Sequence, residues 1–145
     1  MSSVALQSLN LGSMSENSIR QVQEFERVMQ AQPQVAIETS HVFHAGTYAR
    51  TIMIPKGVAL TGALIKINTL LIIEGNCVVT IGEHARVLVG YNVIAAEPNR
   101  KTAYYAYADT YVTMIFATNA ASVEEAEDQF TDEAHRLVTR QSKGE

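Results

Sequence analysis

The chain has 145 residues, of which 47% are hydrophobic and 18% are charged, and its formal net charge is −4. This length suits one domain, and the composition excludes a disordered or collagen-like chain. The acidic balance argues against a general surface for nucleic acid, and no apolar run reaches the roughly 18 residues that a membrane helix needs. Neither nucleic acid nor a membrane is therefore expected as a partner.

Residues 1–34 are predicted to form a leader and an amphipathic helix. Ser18 and Gln21 have the spacing of a capping box, which marks the start of a helix. The apolar residues that follow share one helical face: Ile19, Val22, Phe25 and Met29. Pro33 ends the helix, because proline cannot continue it. The leader is either a flexible tail or a docked segment. It has no features of a secretion signal, so a cytoplasmic location is expected.

Residues 35–118 are predicted to be β-structure throughout. Short runs rich in β-branched and aromatic residues alternate with turns such as Pro55-Lys56-Gly57 and Glu74-Gly75-Asn76. The candidate strands are Val35–Thr39, Val42–Phe43, Thr47–Ile54, Ala59–Lys66, Thr69–Ile73, Cys77–Ile81, Arg86–Val89, Asn92–Ala95, Thr102–Ala108 and Val112–Phe116. Many short strands without helices between them favour an antiparallel sandwich, barrel or jelly roll.

Residues 119–145 are predicted to form an amphipathic helix and a tail within the same single domain. Ser122 and Glu125 form a second capping box. The acidic residues at the start of this helix are interpreted as a solvated face: Glu124, Glu125, Glu127 and Asp128. The alternative to one helix is two short helices with a break near Thr131.

Several short motifs lie between Gly46 and Thr118. They are Gly46-Thr47-Tyr48-Ala49-Arg50, Ile54-Pro55-Lys56-Gly57, Thr61-Gly62-Ala63-Leu64-Ile65-Lys66, Leu71-Ile72-Ile73-Glu74-Gly75-Asn76, Glu97-Pro98-Asn99-Arg100-Lys101 and Tyr105-Ala106-Tyr107-Ala108-Asp109-Thr110. With these motifs the chain resembles the cupin superfamily, and more narrowly the small single-domain cupin-like proteins of tailed bacteriophages. The resemblance implies a mainly β fold, a cupin-type jelly roll or small β-barrel flanked by an N-terminal and a C-terminal α-helix.

The resemblance also points to the positions where cupins bind a metal ion. Metal-binding cupins use two histidines two residues apart, a glutamate a few residues later, and a third histidine in a second motif. These positions match Ala63 and Ile65, then Asn68 or Thr69, and finally Thr102. Alanine and isoleucine have no donor atom for a divalent ion. The expectation is therefore a barrel with no metal and no other cofactor.

A ligand site is predicted from polar residues on the strands. Tyr48 and Arg50 share one face of their strand, because side chains two residues apart point the same way. Arginine and lysine bind anions, and tyrosine supplies a flat wall with a hydroxyl group. The residues predicted to bind a small polar or anionic ligand are Tyr48, Arg50, Lys66, Tyr105 and His44. The alternative is that they make contacts between strands or subunits.

The function predicted first is a non-enzymatic, metal-free domain acting as an oligomeric structural or accessory protein of phage type. A homodimer is the first expectation for its assembly, and other phage proteins are further expected partners. Its place is the host cytoplasm or the virion. The first alternative is a protein that sequesters a small ligand in the barrel. The second is a metal-independent isomerase or epimerase, with His41 or His44 as base and Tyr48 or Tyr105 as acid.

Overall fold

The computed structural model describes residues 9–81 and 84–137. Its elements are β1 (Leu9–Leu11), α1 (Glu16–Gln30), β2 (Thr39–His44), β3 (Thr47–Ile54), β4 (Ala59–Thr61), β5 (Thr69–Ile81), β6 (His84–Ala96), β7 (Ala103–Ala106), β8 (Thr110–Ala117) and α2 (Val123–Phe130), followed by a 3₁₀ turn at Ala134–Arg136. This mainly β fold with a helix before and after it confirms the predicted fold class. The leader before residue 9 and the tail after residue 137 lie outside the described residues.

The sheet is organised by the long hairpin of β5 and β6, which pair along their whole length. Because β6 covers one edge of β5, other strands can pair only with the opposite edge. Two strands do so, each along a different part of that edge. There β8 pairs with residues 70–74, and β7 pairs with residues 77–79. β3 and then β2 extend the sheet beyond β8, whereas β4 pairs with β7. The single sheet therefore divides at β5 into two halves.

The two halves of the sheet bury a common core. Along β8, for example, buried and more exposed residues alternate, as a strand with one inward face requires. The larger core side chains come from both halves and from α2: Tyr48, Ile54, Leu71, Ile73, Val79, Leu88, Ile94, Tyr104, Val112, Met114, Phe116 and Phe130. The sheet is thus rolled around one interior, as the sequence predicts.

The strand boundaries differ from the prediction at several places. The predicted turn at Glu74-Gly75-Asn76 is wrong, because β5 runs through it, and β6 likewise joins two predicted strands. Gly75 lies opposite Gly90 in the hairpin, and their φ angles are +149° and +78°. Glycine adopts these angles without the strain of a side chain, so the strands continue where other residues would end them. The predicted strand at Val35–Thr39 is also wrong, since only Thr39 is in a strand.

The two predicted capping boxes can be compared with the residues at which the helices begin. The predicted cap at Ser18 is wrong: Ser15 caps α1, and its hydroxyl accepts from the Ser18 N–H at 3.1 Å. The cap at Ser122 is confirmed, with the Glu125 N–H donating to its hydroxyl at 3.1 Å. α2 ends before Thr131, so the alternative of a break there is confirmed. Among the described residues, neither helix has both the length and the apolar character to cross a membrane.

Gly75→Ala is expected to lower the free energy of unfolding more than Gly90→Ala. A Cβ at position 75 would lie 2.5 Å from Oγ1 and 2.8 Å from Cα of Thr110, whereas a Cβ at position 90 meets no atom within 4 Å. Both substitutions strain a positive φ, but only the first adds an overpacking cost of about 1–3 kcal/mol. Urea denaturation followed by circular dichroism measures the difference, and equal losses would contradict this account of Gly75.

Candidate functional site

A cavity of about 190 Å³ lies in the interior of the rolled sheet. Both halves of the sheet contribute to its wall, β3, β5 and β8 on one side and β4 and β7 on the other, and α1 and α2 each add a side chain. The apolar side chains of the wall are Ile37, Ile52, Leu60, Ala63, Ile65, Leu71, Val112, Met114, Phe130 and Leu137. Charged and hydroxyl groups from a few residues interrupt this apolar surface.

Arg50 of β3 and Glu127 of α2 form a buried ion pair beside the cavity. Nη1 of Arg50 donates to Oε2 of Glu127 at 2.8 Å, and the Glu127 side chain is fully buried. The guanidinium also lies 5.6 Å from the ring centroid of Phe130, where the face of the ring attracts a cation. The interpretation of Glu127 as part of a solvated acidic face is therefore wrong. It lies on the inner side of α2 with Ala126, and the pair joins that helix to the barrel.

Tyr48 and His41 extend this polar network away from the cavity. The Tyr48 hydroxyl accepts from Nη1 of Arg50 at 3.3 Å and lies 2.6 Å from Nδ1 of His41. Burial raises the pKa of Tyr48, and burial together with the Arg50 charge lowers the pKa of His41. Both side chains are therefore mainly neutral at pH 7. Neither lies in the cavity wall, so the geometry does not direct this acid–base pair at a cavity ligand.

Lys101 is the centre of a second buried charge cluster. Its Nζ lies 3.0 Å from Oε1 of Glu133 and 3.1 Å from Oε2 of Glu26 on α1, and the Lys101 side chain is 1% exposed. Arg136 completes the cluster, 3.1 Å from Oε1 of Glu26. Burial opposes ionisation of Glu133, but the N–H of Leu64 and the Lys101 ammonium outweigh it and lower its pKa. The cluster ties α1 and the 3₁₀ turn to one end of the cavity.

Arg100 lies in the cavity wall and is almost completely buried. Its Nη1 donates to the backbone oxygens of Ile67 at 3.3 Å and Glu97 at 2.6 Å, and its Nη2 donates to the hydroxyl of Thr69. All three acceptors are uncharged. Burial lowers the pKa of Arg100 to about 10, so the guanidinium still carries its charge at pH 7.

The structure brings two of the five predicted ligand residues together. Tyr48 and Arg50 are hydrogen-bonded on β3, and of the five only Arg50 lies in the cavity wall. Lys66 pairs at the surface with a carboxylate after α2, Tyr105 lies on the outer face of β7, and His44 is exposed at the end of β2. A shared ligand role for all five stays a prediction, and the geometry supports only Arg50 as a group in the cavity wall.

Sequence reasoning missed the wall residues around Thr102. Arg100 and Lys101 follow Pro98-Asn99, which is typical of an exposed turn, yet both are buried. Tyr104 is buried as well, and burial raises its pKa to about 12. One feature of the sequence could have indicated that they line the interior. They lie next to Thr102, which matches the position of a metal-binding histidine in cupins.

The positions that match metal ligands do lie at the cavity. Ala63, Ile65 and Thr102 are in its wall, and Thr69 is buried against Arg100. These side chains offer a methyl group, a branched alkyl group and hydroxyls, which do not fit a divalent metal ion. Within the described ranges, no three His, Cys, Asp or Glu side chains are close enough to hold a metal. A metal-free barrel stays a prediction.

Comparisons with known proteins concern the fold. The sequence matches no protein-family model and no curated protein. Among solved structures, KdgF from Halomonas sp. has a TM-score of 0.49 and 15% identity, over 61% of this chain and 86% of that one. A cupin-2 domain from Rhodospirillum rubrum has a TM-score of 0.49 and 13% identity, over 61% and 68%. A cupin superfamily protein from Desulfitobacterium hafniense has a TM-score of 0.47 and 13% identity, over 61% and 83%.

Glu127→Leu is expected to reduce the free energy of unfolding by about 3–5 kcal/mol, because it leaves the Arg50 charge buried without its counterion. The double substitution Arg50→Met with Glu127→Leu should recover most of this loss, since neither charge then remains. Urea denaturation of the single and double variants measures both effects.

The matched control is Lys66→Met, which removes the partner of Asp132 from a surface pair whose side chains are 40% and 87% exposed. Surface pairs contribute at most about 1 kcal/mol. A loss in Glu127→Leu no larger than the loss in this control would contradict a stabilising role for the buried pair.

Proposed function

We propose that this chain is a cupin-like barrel protein that binds a small organic molecule in its interior, without a metal and without catalysis. The observation that carries the proposal is the cavity of about 190 Å³, whose apolar wall contains the buried cationic side chains of Arg50, Arg100 and Lys101. Side chains usually fill the interior of a small barrel. An open, mainly apolar volume with a few fixed polar groups has the character of a ligand site.

The same geometry favours binding over a reaction. The acid–base candidates His41 and Tyr48 are hydrogen-bonded to each other outside the cavity wall. The cavity is also smaller than the roughly 300–1,000 Å³ typical of sites for drug-sized ligands, so the ligand is a small metabolite.

Ala63→Phe is expected to abolish ligand binding, because the larger side chain occupies the cavity from its wall. A thermal-shift screen of small metabolites should give compounds that raise the melting temperature of the wild-type protein. A ligand present at 100 times its dissociation constant adds about 2.7 kcal/mol to stability, which such a screen detects. Isothermal titration calorimetry then compares the hits on the variant.

The control is Ala117→Phe, which adds the same ring at an exposed position on β8 and should leave binding unchanged. A screen without any stabilising compound would contradict the proposal. So would undiminished binding to a folded Ala63→Phe protein.

A second function, assembly into a homodimer, is favoured by the outer face of β6. Alternate residues there are large and exposed, with Val87 at 56%, Val89 at 65%, Tyr91 at 61% and Val93 at 47%. Leu70 of β5 adds to the same face, 42% exposed. In the described structure, β1 pairs with only the last residues of β6, so the rest of that edge has no neighbouring strand. An apolar face at an open edge suits pairing with a second copy by a two-fold axis.

Val89→Lys is expected to convert the proposed dimer to a monomer, because a charge on this face opposes burial against another copy. Light scattering coupled to size-exclusion chromatography measures the mass of each form. The control is Val42→Lys on β2, where the valine is also exposed, at 57%, on a different strand. A wild-type protein that is monomeric at micromolar concentration would contradict the dimer.

An accessory role of phage type, in the virion or in the host cytoplasm, stays a prediction from the sequence. A barrel ligand and a dimer are both compatible with it. Other phage proteins remain expected partners for the same reason.

A further inference from the structure

We propose that the ligand of the cavity is a small monocarboxylate with an apolar body, and that Arg100 binds its carboxylate group. The inference rests on the proposed binding function and adds the chemical class of the ligand. It rests on how each cationic side chain at the cavity is neutralised.

Three of the four cationic side chains in the cavity wall have a carboxylate partner. Arg50 is paired with Glu127, and Lys101 and Arg136 are both paired with Glu26 and Glu133. The Arg50–Glu127 pair and the cluster around Lys101 together contain three positive and three negative charges, so their net charge is zero. Any net charge at the cavity must therefore come from the remaining cation.

That remaining cation is Arg100. Within the part of the chain that the structure describes, it has no carboxylate oxygen within 4.0 Å. Its residue is only 2% exposed, so water screens the charge poorly. A buried charge without a counterion is costly, and an anion bound beside it would offset that cost. The cavity wall thus has one fixed positive charge that no carboxylate of the described residues neutralises.

Arg100 also retains hydrogen-bonding capacity. A guanidinium group has five N–H donors, and Arg100 uses three of them, on Ile67, Glu97 and Thr69. These three hydrogen bonds leave two of the five N–H groups for another acceptor. Two N–H groups of one planar guanidinium match the two oxygens of a carboxylate, which is the usual partner of arginine in this geometry.

The charge and the walls together select the class of anion. One uncompensated charge balances a monoanion, whereas a phosphate dianion would need a second free cation, and the other three are neutralised. The cavity wall also contains apolar side chains such as Ile65, Leu71 and Met114, which favour an alkyl or aryl body over a sugar.

Matched pairs of acids and amides test this directly, by calorimetry on the wild-type protein. Benzoate is compared with benzamide, and hexanoate with hexanamide, because each pair differs mainly in charge. The carboxylate should bind about 10- to 100-fold more tightly, as expected for hydrogen bonds to a charged group. Above about pH 8, where phenylphosphonate is mainly a dianion, it should bind more weakly than benzoate. This comparison needs no variant, so it remains valid if changes at Arg100 impair folding.

The variant Arg100→Met should remove the preference for the acid, while Arg20→Met, at an exposed position on α1, should keep it. If acid and amide bind wild-type protein equally, Arg100 does not select an anion, and the inference fails while the binding function stands. A folded Arg100→Met protein that still prefers the acid overturns it too. If neither these compounds nor a broad metabolite screen binds, the proposed function fails, and the inference with it.

Discussion

The interior of this barrel depends on one constraint: a charge removed from water needs a counterion or hydrogen-bond acceptors. Four cationic side chains lie in the cavity wall, and the carboxylates that neutralise three of them come from outside the barrel strands. Glu26 is on α1, Glu127 is on α2, and Glu133 lies just before the 3₁₀ turn. Since an unpaired buried charge is strongly destabilising, both helices are needed to keep the cavity charged and folded.

This constraint explains why the helices are positioned where they are. Apolar packing alone would hold Phe130 against the barrel in several orientations, because hydrophobic contact has no direction. The hydrogen bond from Arg50 to Glu127 at 2.8 Å selects one of them. The ion pair between Lys101 and Glu26 likewise selects one orientation of α1. The helices therefore act as structural parts of the cavity wall.

The sequence predicts the strand content well because alternation is a local property. Tyr48 and Arg50 were expected on one face of β3, and both are buried there. The cap at Ser122 was also found, since capping depends on residues within one turn. Glu127 was not found, because an acidic residue in the first turns of a helix is ordinarily explained by the helix dipole. Its partner Arg50 is 77 residues away, and no local pattern records such a pairing.

Contacts distant in the sequence also explain why the burial of Arg100 was missed and why the turn predicted at Glu74-Gly75-Asn76 is wrong. Arg100 follows a proline and an asparagine with a positive φ, which is the local pattern of an exposed turn. Its burial is decided by Ile67 and Thr69, more than thirty residues earlier, whose oxygens accept its hydrogen bonds. Likewise, Glu74-Gly75-Asn76 has the composition of a turn. The pairing of Gly75 with Gly90 across the hairpin lets the strand continue instead.

The polar lining can be understood together with the positions that match metal ligands in the resemblance. A metal-binding barrel places a cation in the interior through side chains with donor atoms, and Ala63 and Ile65 have none. Here the cation at the cavity wall is part of a side chain, the Arg100 guanidinium. Neutral oxygens from the backbone and from Thr69 accept its hydrogen bonds. A guanidinium attracts and orients an anion through charge and hydrogen bonds, but it offers no coordination site at which a substrate could be polarised or a water molecule activated. In the proposed function, the Arg100 guanidinium supplies the positive charge that recognises an anion at the cavity wall.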